Sequence, residues 1–266
     1  MDHNKFKIDN FFDQYSKEYS DENYNKDLNK FMFIRLKTIV NFIEGNFNRE
    51  NLKILDLGCG SGEVTLALAK LGYIGDALDN SKGMLDICRK KLSNYNWNFY
   101  LDEAQNTNLE SESYDLIIAS GLIEYYHNDK ILLDEINRLL KNNGHLIINV
   151  SNKFGYSTCL NSLTYFLKQN FIFKFIKSKL FNFKYGVVNF SVRKHKISDF
   201  KKTLKNFNFQ IIQDQYIGYS LLPAPFMTLL NFLTKKIDLK LENLSKTKLK
   251  NLGASYIALC QKKKII

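Results

Sequence analysis

The stretch "ILDLGCGSGEVTLALAKLGY", Ile54 to Tyr73, decides the fold. An apolar run of strand length meets three glycines at alternate positions, Gly58, Gly60 and Gly62. A helical pattern follows and stops at Gly72, a residue type that ends helices by adopting the left-handed conformation. Strand, glycine loop and helix together can hold a phosphate or a nucleoside. The glycines allow tight turns and close backbone approach, and the helix N-terminus offers unpaired N–H groups.

The spacing narrows the ligand. A dinucleotide fingerprint is G-x-G-x-x-G. Here the pattern is G-x-G-x-G, and the third residue after Gly60 is Glu63. A carboxylate at that place repels a diphosphate but not a cation. No G-x-x-x-x-G-K-[ST] phosphate loop occurs in the chain.

Working outward, strands and helices alternate. "LKILDLG", "YIGDALD", "WNFYLDEA", "SYDLIIASGL" and "HLIINVSN" read as strands. "EVTLALAKLG", "SKGMLDICRKKLSNY" with Ser81 as N-cap, and "NDKILLDEINRLLKNNG" with Gly144 at its end read as helices. Residues 10–45 carry apolar positions at helical spacing, among them Phe11, Phe12, Phe31, Ile34, Phe42 and Ile43. This alternation predicts a mostly parallel sheet covered on both faces. Beyond Asn152 the alternation stops. "ISDFKKTLKNFN" reads as a surface helix, and "FQIIQDQYIGYSL" and "ASYIALCQK" read as two more strands. The only two prolines, Pro223 and Pro225, precede an apolar helical stretch from about Phe226 to Leu241.

Three acids end successive strands in comparable places: Asp56, Asp79 and Asp102. Open α/β sheets bind ligands at the carboxyl ends of their strands, and an acid after the second strand can accept from both ribose hydroxyls. Asp79 fits that place, and Asp102 can accept from an adenine amino group. Several acids with no cationic phosphate pocket suit a positively charged nucleoside.

At these residues the chain resembles the class I S-adenosylmethionine-dependent methyltransferases, in their small-molecule and quinone-methyltransferase-like branch. The resemblance runs from about Phe11 to Asn152 through "ILDLGCGSG", "ALDNSKGMLDICRKKL", "FYLDEAQNTNLESESYDLIIASGLIEYY" and "LLDEINRLLKNNGHLIINVSN". It implies a Rossmann-like, doubly wound α/β fold: a seven-stranded, mostly parallel sheet with an antiparallel last strand, N-terminal helices and a helical lid insertion. It implies S-adenosylmethionine as cofactor. Asp56, Gly58, Cys59, Gly60 and Gly62 would line its methionine and ribose side. Asp79 would hold the ribose with Asn80 and Met84 beside it. Asp102, Glu103 and Ala104 would flank the adenine, and Ser120 would lie near the methionine part. A tyrosine and an arginine of the entry helices bind the cofactor's carboxylate in such proteins; Tyr15 or Tyr19, with Arg35, match them here. The expected layout is one domain: a helical cap over 1–45, a cofactor-binding core over 46–152, an insertion over 153–190, and the rest of the sheet over 191–266 with a helical insertion at 223–250.

Methyl transfer from a sulfonium is an in-line displacement that needs no metal, and no His/Asp/Glu cluster here has ligand spacing. Where relatives carry Leu-Glu-His after the fourth strand, this chain reads "LIEYYHND", placing Tyr125 at the histidine position and His127 two residues on. Tyr125, His127 and His195 are the candidates for catalysis. His127 also reads as a loop residue, and His195 follows the insertion, where family members bring a histidine to the acceptor.

The chain has 266 residues and a net charge of +11. Lys153 to Ser198 holds nine Lys or Arg and no acid, with Phe166, Phe171, Phe173, Phe175, Phe181 and Phe183 interleaved. As a lid this segment would exclude water and form an apolar acceptor pocket. As a basic amphipathic surface, residues 157–184 would lie in a bilayer interface. The two readings are compatible. The N-terminus does not read as a secretory signal, and no run of 18 uncharged apolar residues exists. Cys59, Cys88, Cys159 and Cys260 are scattered, as reduced thiols of a cytoplasmic protein are.

The expected function is methyl transfer to oxygen or nitrogen of a small apolar or aromatic acceptor. The alternative is a peripheral membrane enzyme acting on a lipid or quinone-like acceptor. No nucleic-acid partner is expected, because "ASGLIEYY" lacks the Asn/Asp-Pro-Pro-aromatic motif of amino-directed nucleic-acid enzymes. A non-catalytic module is opposed by the intact set of glycines and acids.

Overall fold

A computed structural model describes residues 3–23, 30–163, 192–220, 237–238 and 240–263. Its centre is a seven-stranded sheet of β1 (Ile54–Leu57), β2 (Gly75–Asp79), β3 (Trp97–Leu101), β4 (Tyr114–Ala119), β5 (Leu140–Ser151), β6 (Phe209–Ile217) and β7 (Ser255–Lys262). The strand order is β3-β2-β1-β4-β5-β7-β6. The first five strands pair in parallel, whereas β7 is antiparallel to both β5 and β6. The expected seven-stranded, mostly parallel sheet with its antiparallel last strand is thus present.

The parallel strands are apolar on both faces because helices cover both. On one face Ile54, Leu116, Ile118, Ile147 and Ile257 pack under α3 (Lys30–Asn46), α4 (Glu63–Lys70) and α5 (Lys82–Lys91) through Ile39, Phe42, Leu68 and Leu85. On the other, Leu55, Ile117, Ile148 and Ala258 pack against α6 (Asp129–Leu139) and α8 (Ile197–Asn206) through Leu132, Ile136, Phe200 and Leu204. The period-2 alternation along each strand sends neighbouring residues to opposite cores.

The helical stretch expected over 10–45 resolves into α1 (His3–Gln14), α2 (Ser16–Asn23) and α3. Element ends differ from the expectation, most of all at α6. α6 ends at Leu139, not at Gly144, because Leu140 turns extended (ψ 135°) and pairs with Tyr114 of β4. Of the basic aromatic insertion, only its start is described, with α7 at Tyr156–Leu163. Residues 164–191, and 221–236 with Pro223, Pro225 and the start of the second insertion, lie outside the described residues.

The strand order reverses between β1 and β4, whose chain connections run to opposite sides of the sheet. That switch point opens a crevice at the carboxyl ends of the strands.

Candidate active site

The loop after β1 opens the crevice. Gly58, Gly60 and Gly62 adopt φ of +73°, +54° and +82°, a region closed to most side chains. A Cβ on Gly62 would lie 2.4 Å from Cys88 Sγ, so this glycine lets the loop press against α5. A Cβ on Gly60 would meet nothing within 4 Å, because it would point into a cavity.

That cavity has about 380 Å³, within the ~300–1,000 Å³ of small-molecule sites. Gly58, Cys59, Gly60, Asp56, Asp79, Asn80 and Met84 wall one side. Asp79 connects two loops. Its Oδ2 accepts from the Gly60 N–H at 2.8 Å and its Oδ1 from the Ser81 N–H at 2.9 Å. Burial pushes its carboxyl up to about 6, against those two hydrogen bonds and with the Asp13 and Asp9 charges adding to the rise. Asp56 is 1% exposed and accepts from Thr65 Oγ1 at 2.6 Å. Burial pushes it up to about 7, against the Thr65 hydrogen bond and with the Asp79 charge adding to the rise. Two acids held above their ordinary range beside one cavity favour a cationic occupant.

The other side is built by the turn after β4 and by the N-terminal helices. Ser120, Gly121, Leu122, Glu124 and Tyr125 line it together with Phe12, Tyr19, Phe31, Met32 and Arg35. Asn149 on β5 fixes the turn by accepting the Gly121 N–H at 2.7 Å. The Arg35 guanidinium lies over Gly121, 2.8 Å from where a Cβ would stand. Tyr19 is raised by burial, opposed by the Arg35 charge. Phe12 stacks edge-on against both Tyr19 and Tyr125, with centroids 5.2 and 5.5 Å apart. α1 is held over the site by Asp9, which accepts from Asn80 Nδ2 at 2.8 Å, and by Asp13, which accepts from Ser81 Oγ at 2.7 Å.

The structure therefore gathers Tyr19, Arg35, Asp56, Gly58, Cys59, Gly60, Asp79, Asn80, Met84, Ser120 and Tyr125 around one cavity. The other candidates lie outside its wall, each for a physical reason. Tyr15 packs on Phe11. Asp102 ties its own loop, accepting from the N–H groups of Glu103 and Asn108 at 2.8 Å each. Glu103 accepts from Asn80 Nδ2 at 3.1 Å, and Ala104 is buried in the core below α6. Glu63 turns away to Lys91 and to Ser61 Oγ. His127 is exposed. His195 Nε2 bonds Asp129 at 3.2 Å while its backbone bridges Asn152, so the ring joins a cluster with Arg193 rather than the cavity.

Ile8, Asp9 and Phe12 of α1, Glu124 and Asn149 also contribute to the wall. Phe12 and Glu124 were visible as a periodic aromatic and as a neighbour of Tyr125. Asp9 and Asn149 had no sequence signal, since only the folded chain brings them near the glycine loop.

A switch-point cavity bounded by a left-handed glycine loop and a strand-end aspartate is the arrangement of a Rossmann-like nucleoside-binding fold. Comparison with known proteins agrees. Residues 55–148 match the family described as methyltransferase domain. Residues 55–148 therefore carry the pattern of a methyltransferase domain, and solved structures that share the fold are S-adenosylmethionine-dependent methyltransferases.

Among curated relatives, a ubiquinone biosynthesis O-methyltransferase of Rickettsia akari is 29% identical over 138 residues, covering 49% of this chain and 55% of that protein. A malonyl-[acyl-carrier protein] O-methyltransferase of Bacillus cereus is 32% identical over 111 residues, covering 41% of this chain and 39% of that protein. The chain thus spans about half the length of the curated relatives it matches. A magnesium protoporphyrin IX methyltransferase from Synechocystis PCC 6803 with bound S-adenosylhomocysteine shares the fold. Its TM-score is 0.65 and its identity 16%, with coverage of 98% of this chain and 100% of that one.

The residues present fit the cofactor. Gly60 leaves room where any side chain would intrude. Ser120 Oγ is buried without a hydrogen-bond partner among the described residues and sits in the cavity wall, where a ligand's polar group can satisfy it.

Proposed function

We propose that the protein transfers a methyl group from S-adenosylmethionine to an oxygen or nitrogen of a small aromatic or apolar acceptor. One observation carries this reading. The glycine-loop side and the aromatic side belong to a single cavity, so cofactor and acceptor would share one chamber. Relatives whose names specify O-methylation favour oxygen over nitrogen.

The cofactor supplies an electrophilic methyl on a sulfonium. The chain's own residues do the rest. Gly60 admits the cofactor's backbone-close portion, and Asp79 has a second lone pair on each oxygen for the ribose hydroxyls. Asp79 and Asp56 place negative charge near a cation. Arg35 with Tyr19 would receive the methionine carboxylate, and Ser120 would bond a neighbouring polar atom. Phe12, Phe31 and Tyr125 would hold an aromatic acceptor flat and exclude water. Fixing nucleophile and methyl in line and in contact supplies much of the acceleration in such displacements.

Isothermal calorimetry with S-adenosylhomocysteine, followed by transfer from isotope-labelled S-adenosylmethionine to a panel of hydroxyaromatics, tests the reading. Heat of binding and label in an organic product support it. Absence of binding heat defeats it.

A second reading places the acceptor at a bilayer surface. Phe154 and Tyr156 are 55% and 43% exposed beside Lys153, at the entrance to the basic segment. Asn152 Nδ2 bonds the carbonyls of Asn251 and Gly253, which sets the exposed Leu249 and Leu252 on the adjoining loop. No helix among the described residues is long and apolar enough to cross a membrane. Co-sedimentation with anionic vesicles at low salt would support surface contact, and a protein that stays in the supernatant would rule it out.

A further inference from the structure

One buried acid of the cavity wall has no part in cofactor binding as derived above. Glu124 stands in the short 3-10 turn Ile123–Tyr125 that follows β4. It is 7% exposed and lines the cavity between Tyr125, Ser151 and Arg35. Its place is fixed at two points. The Ser151 N–H at the end of β5 donates to its carboxylate, and its backbone carbonyl accepts the Arg193 N–H at 3.1 Å. A buried carboxylate anchored at the mouth of two strands, yet still facing the chamber, is costly unless something in the chamber uses it.

We propose that Glu124 is the general base of the reaction, accepting the proton of the acceptor's hydroxyl as the methyl is transferred. The proposal rests on the methyltransferase reading and adds to it an acceptor class, a neutral hydroxyl compound. The step balances. The acceptor's O–H electrons form the O–CH3 bond, the S–CH3 pair stays on sulfur to give a neutral thioether, and the proton passes to the Glu124 carboxylate. The protonated acid then returns its proton to solvent when products leave.

The surroundings suit that work. Burial raises the Glu124 carboxyl, opposed by the Ser151 hydrogen bonds and by the charges of Arg35 and His195. A base is most effective when its affinity for protons is near that of the working solution. The groups facing it are Arg35 from α3, Tyr19 from α2, Tyr125 beside it in the turn, and Arg193 with His195 from the segment that bridges to Asn152 at the end of β5. The histidines do not compete. His127 is exposed, and the His195 ring bonds Asp129 outside the cavity wall.

Glu124→Gln keeps the shape and an acceptor for the Ser151 N–H while removing the base. Methyl transfer to catechol is followed from pH 5 to 10, with S-adenosylhomocysteine calorimetry on the same samples. For the natural protein the rate should rise with pH and level off once Glu124 is ionised. In the variant, cofactor affinity should stay within about threefold, and transfer at neutral pH should fall ~100- to 10,000-fold. The variant's rate should also climb with pH as the catechol ionises by itself. Glu124→Asp should recover part of the loss.

An unchanged rate or pH profile in Glu124→Gln overturns the proposal and leaves Glu124 a wall residue. A cofactor affinity more than about tenfold weaker overturns it too, assigning Glu124 to the cofactor's ammonium group. If the natural protein binds S-adenosylhomocysteine but methylates neither catechol nor phenol, the hydroxyl assignment is wrong. If it binds no S-adenosylhomocysteine, the methyltransferase reading itself fails, an outcome distinct from all of these.

Discussion

Replacing Asp79 by asparagine separates two jobs that the structure gives one carboxylate. Asp79 Oδ2 takes the Gly60 N–H at 2.8 Å and Oδ1 takes the Ser81 N–H at 2.9 Å. Asparagine keeps the shape but exchanges one oxygen for an NH2 group. Whichever way the amide turns, one of those two backbone donors then meets another donor. A buried donor left unpaired costs ~1–3 kcal/mol, which lowers Tm by about 2–12 °C in a chain of this size. On the ligand side, each ribose hydroxyl bonded to a charged acceptor contributes ~1.5–3 kcal/mol. Losing most of two such bonds weakens S-adenosylhomocysteine binding by roughly 100-fold or more. Calorimetry reads the second effect and thermal melting the first. A variant that melts several degrees lower yet keeps its dissociation constant within about threefold would refute the ribose assignment. Asp79 would then be a loop tie only.

The remaining expectations concern the same cavity. Because ribose hydroxyls donate to an ionised Asp79, S-adenosylhomocysteine affinity should decline as pH falls through about 6, the value to which burial raises that carboxyl, and be level above it; a flat calorimetric profile from pH 5 to 8 would count against the contact. Gly60→Val should abolish binding heat while leaving the far-ultraviolet circular dichroism intact, since its Cβ points into open space; retained binding would show that the cofactor lies elsewhere. Gly60→Ala and Gly62→Ala both incur ~1–2 kcal/mol for the left-handed backbone. Only the second drives a Cβ to 2.4 Å from Cys88 Sγ, adding ~1–3 kcal/mol, so it should unfold at lower urea. His195→Asn should lower Tm by loosening the Asp129 contact but change cofactor affinity by less than twofold; a tenfold loss would return His195 to the site.

The strand–glycine loop–helix unit was legible because its physics is local. Three glycines at alternate positions are needed only where a loop turns at positive φ, and the structure has all three there. Asp79 was legible because strand-end position and distance from the loop follow from the βαβ unit alone. Asp102 shares that position, yet its oxygens cap the 102–108 loop, a competition between local backbone donors and ligand that sequence spacing does not express. Helix ends carried the same ambiguity. "KNNG" after α6 looks like a helix stop at Gly144, but pairing of Leu140 with Tyr114 draws the chain into β5 five residues earlier. The cover of the cavity was least legible. Asp9 meets Asn80 across 71 residues of chain, and no periodicity encodes such a contact.

A crystal structure of the protein with S-adenosylhomocysteine tests most directly whether this cavity is the cofactor site. The ribose should lie on Asp79, the homocysteine should run past Ser120 toward Arg35 and Tyr19, and the sulfur should face the aromatic side of the chamber. Electron density for the ligand outside the cavity bounded by Gly60 and Asp79, or a ribose away from Asp79, would contradict it.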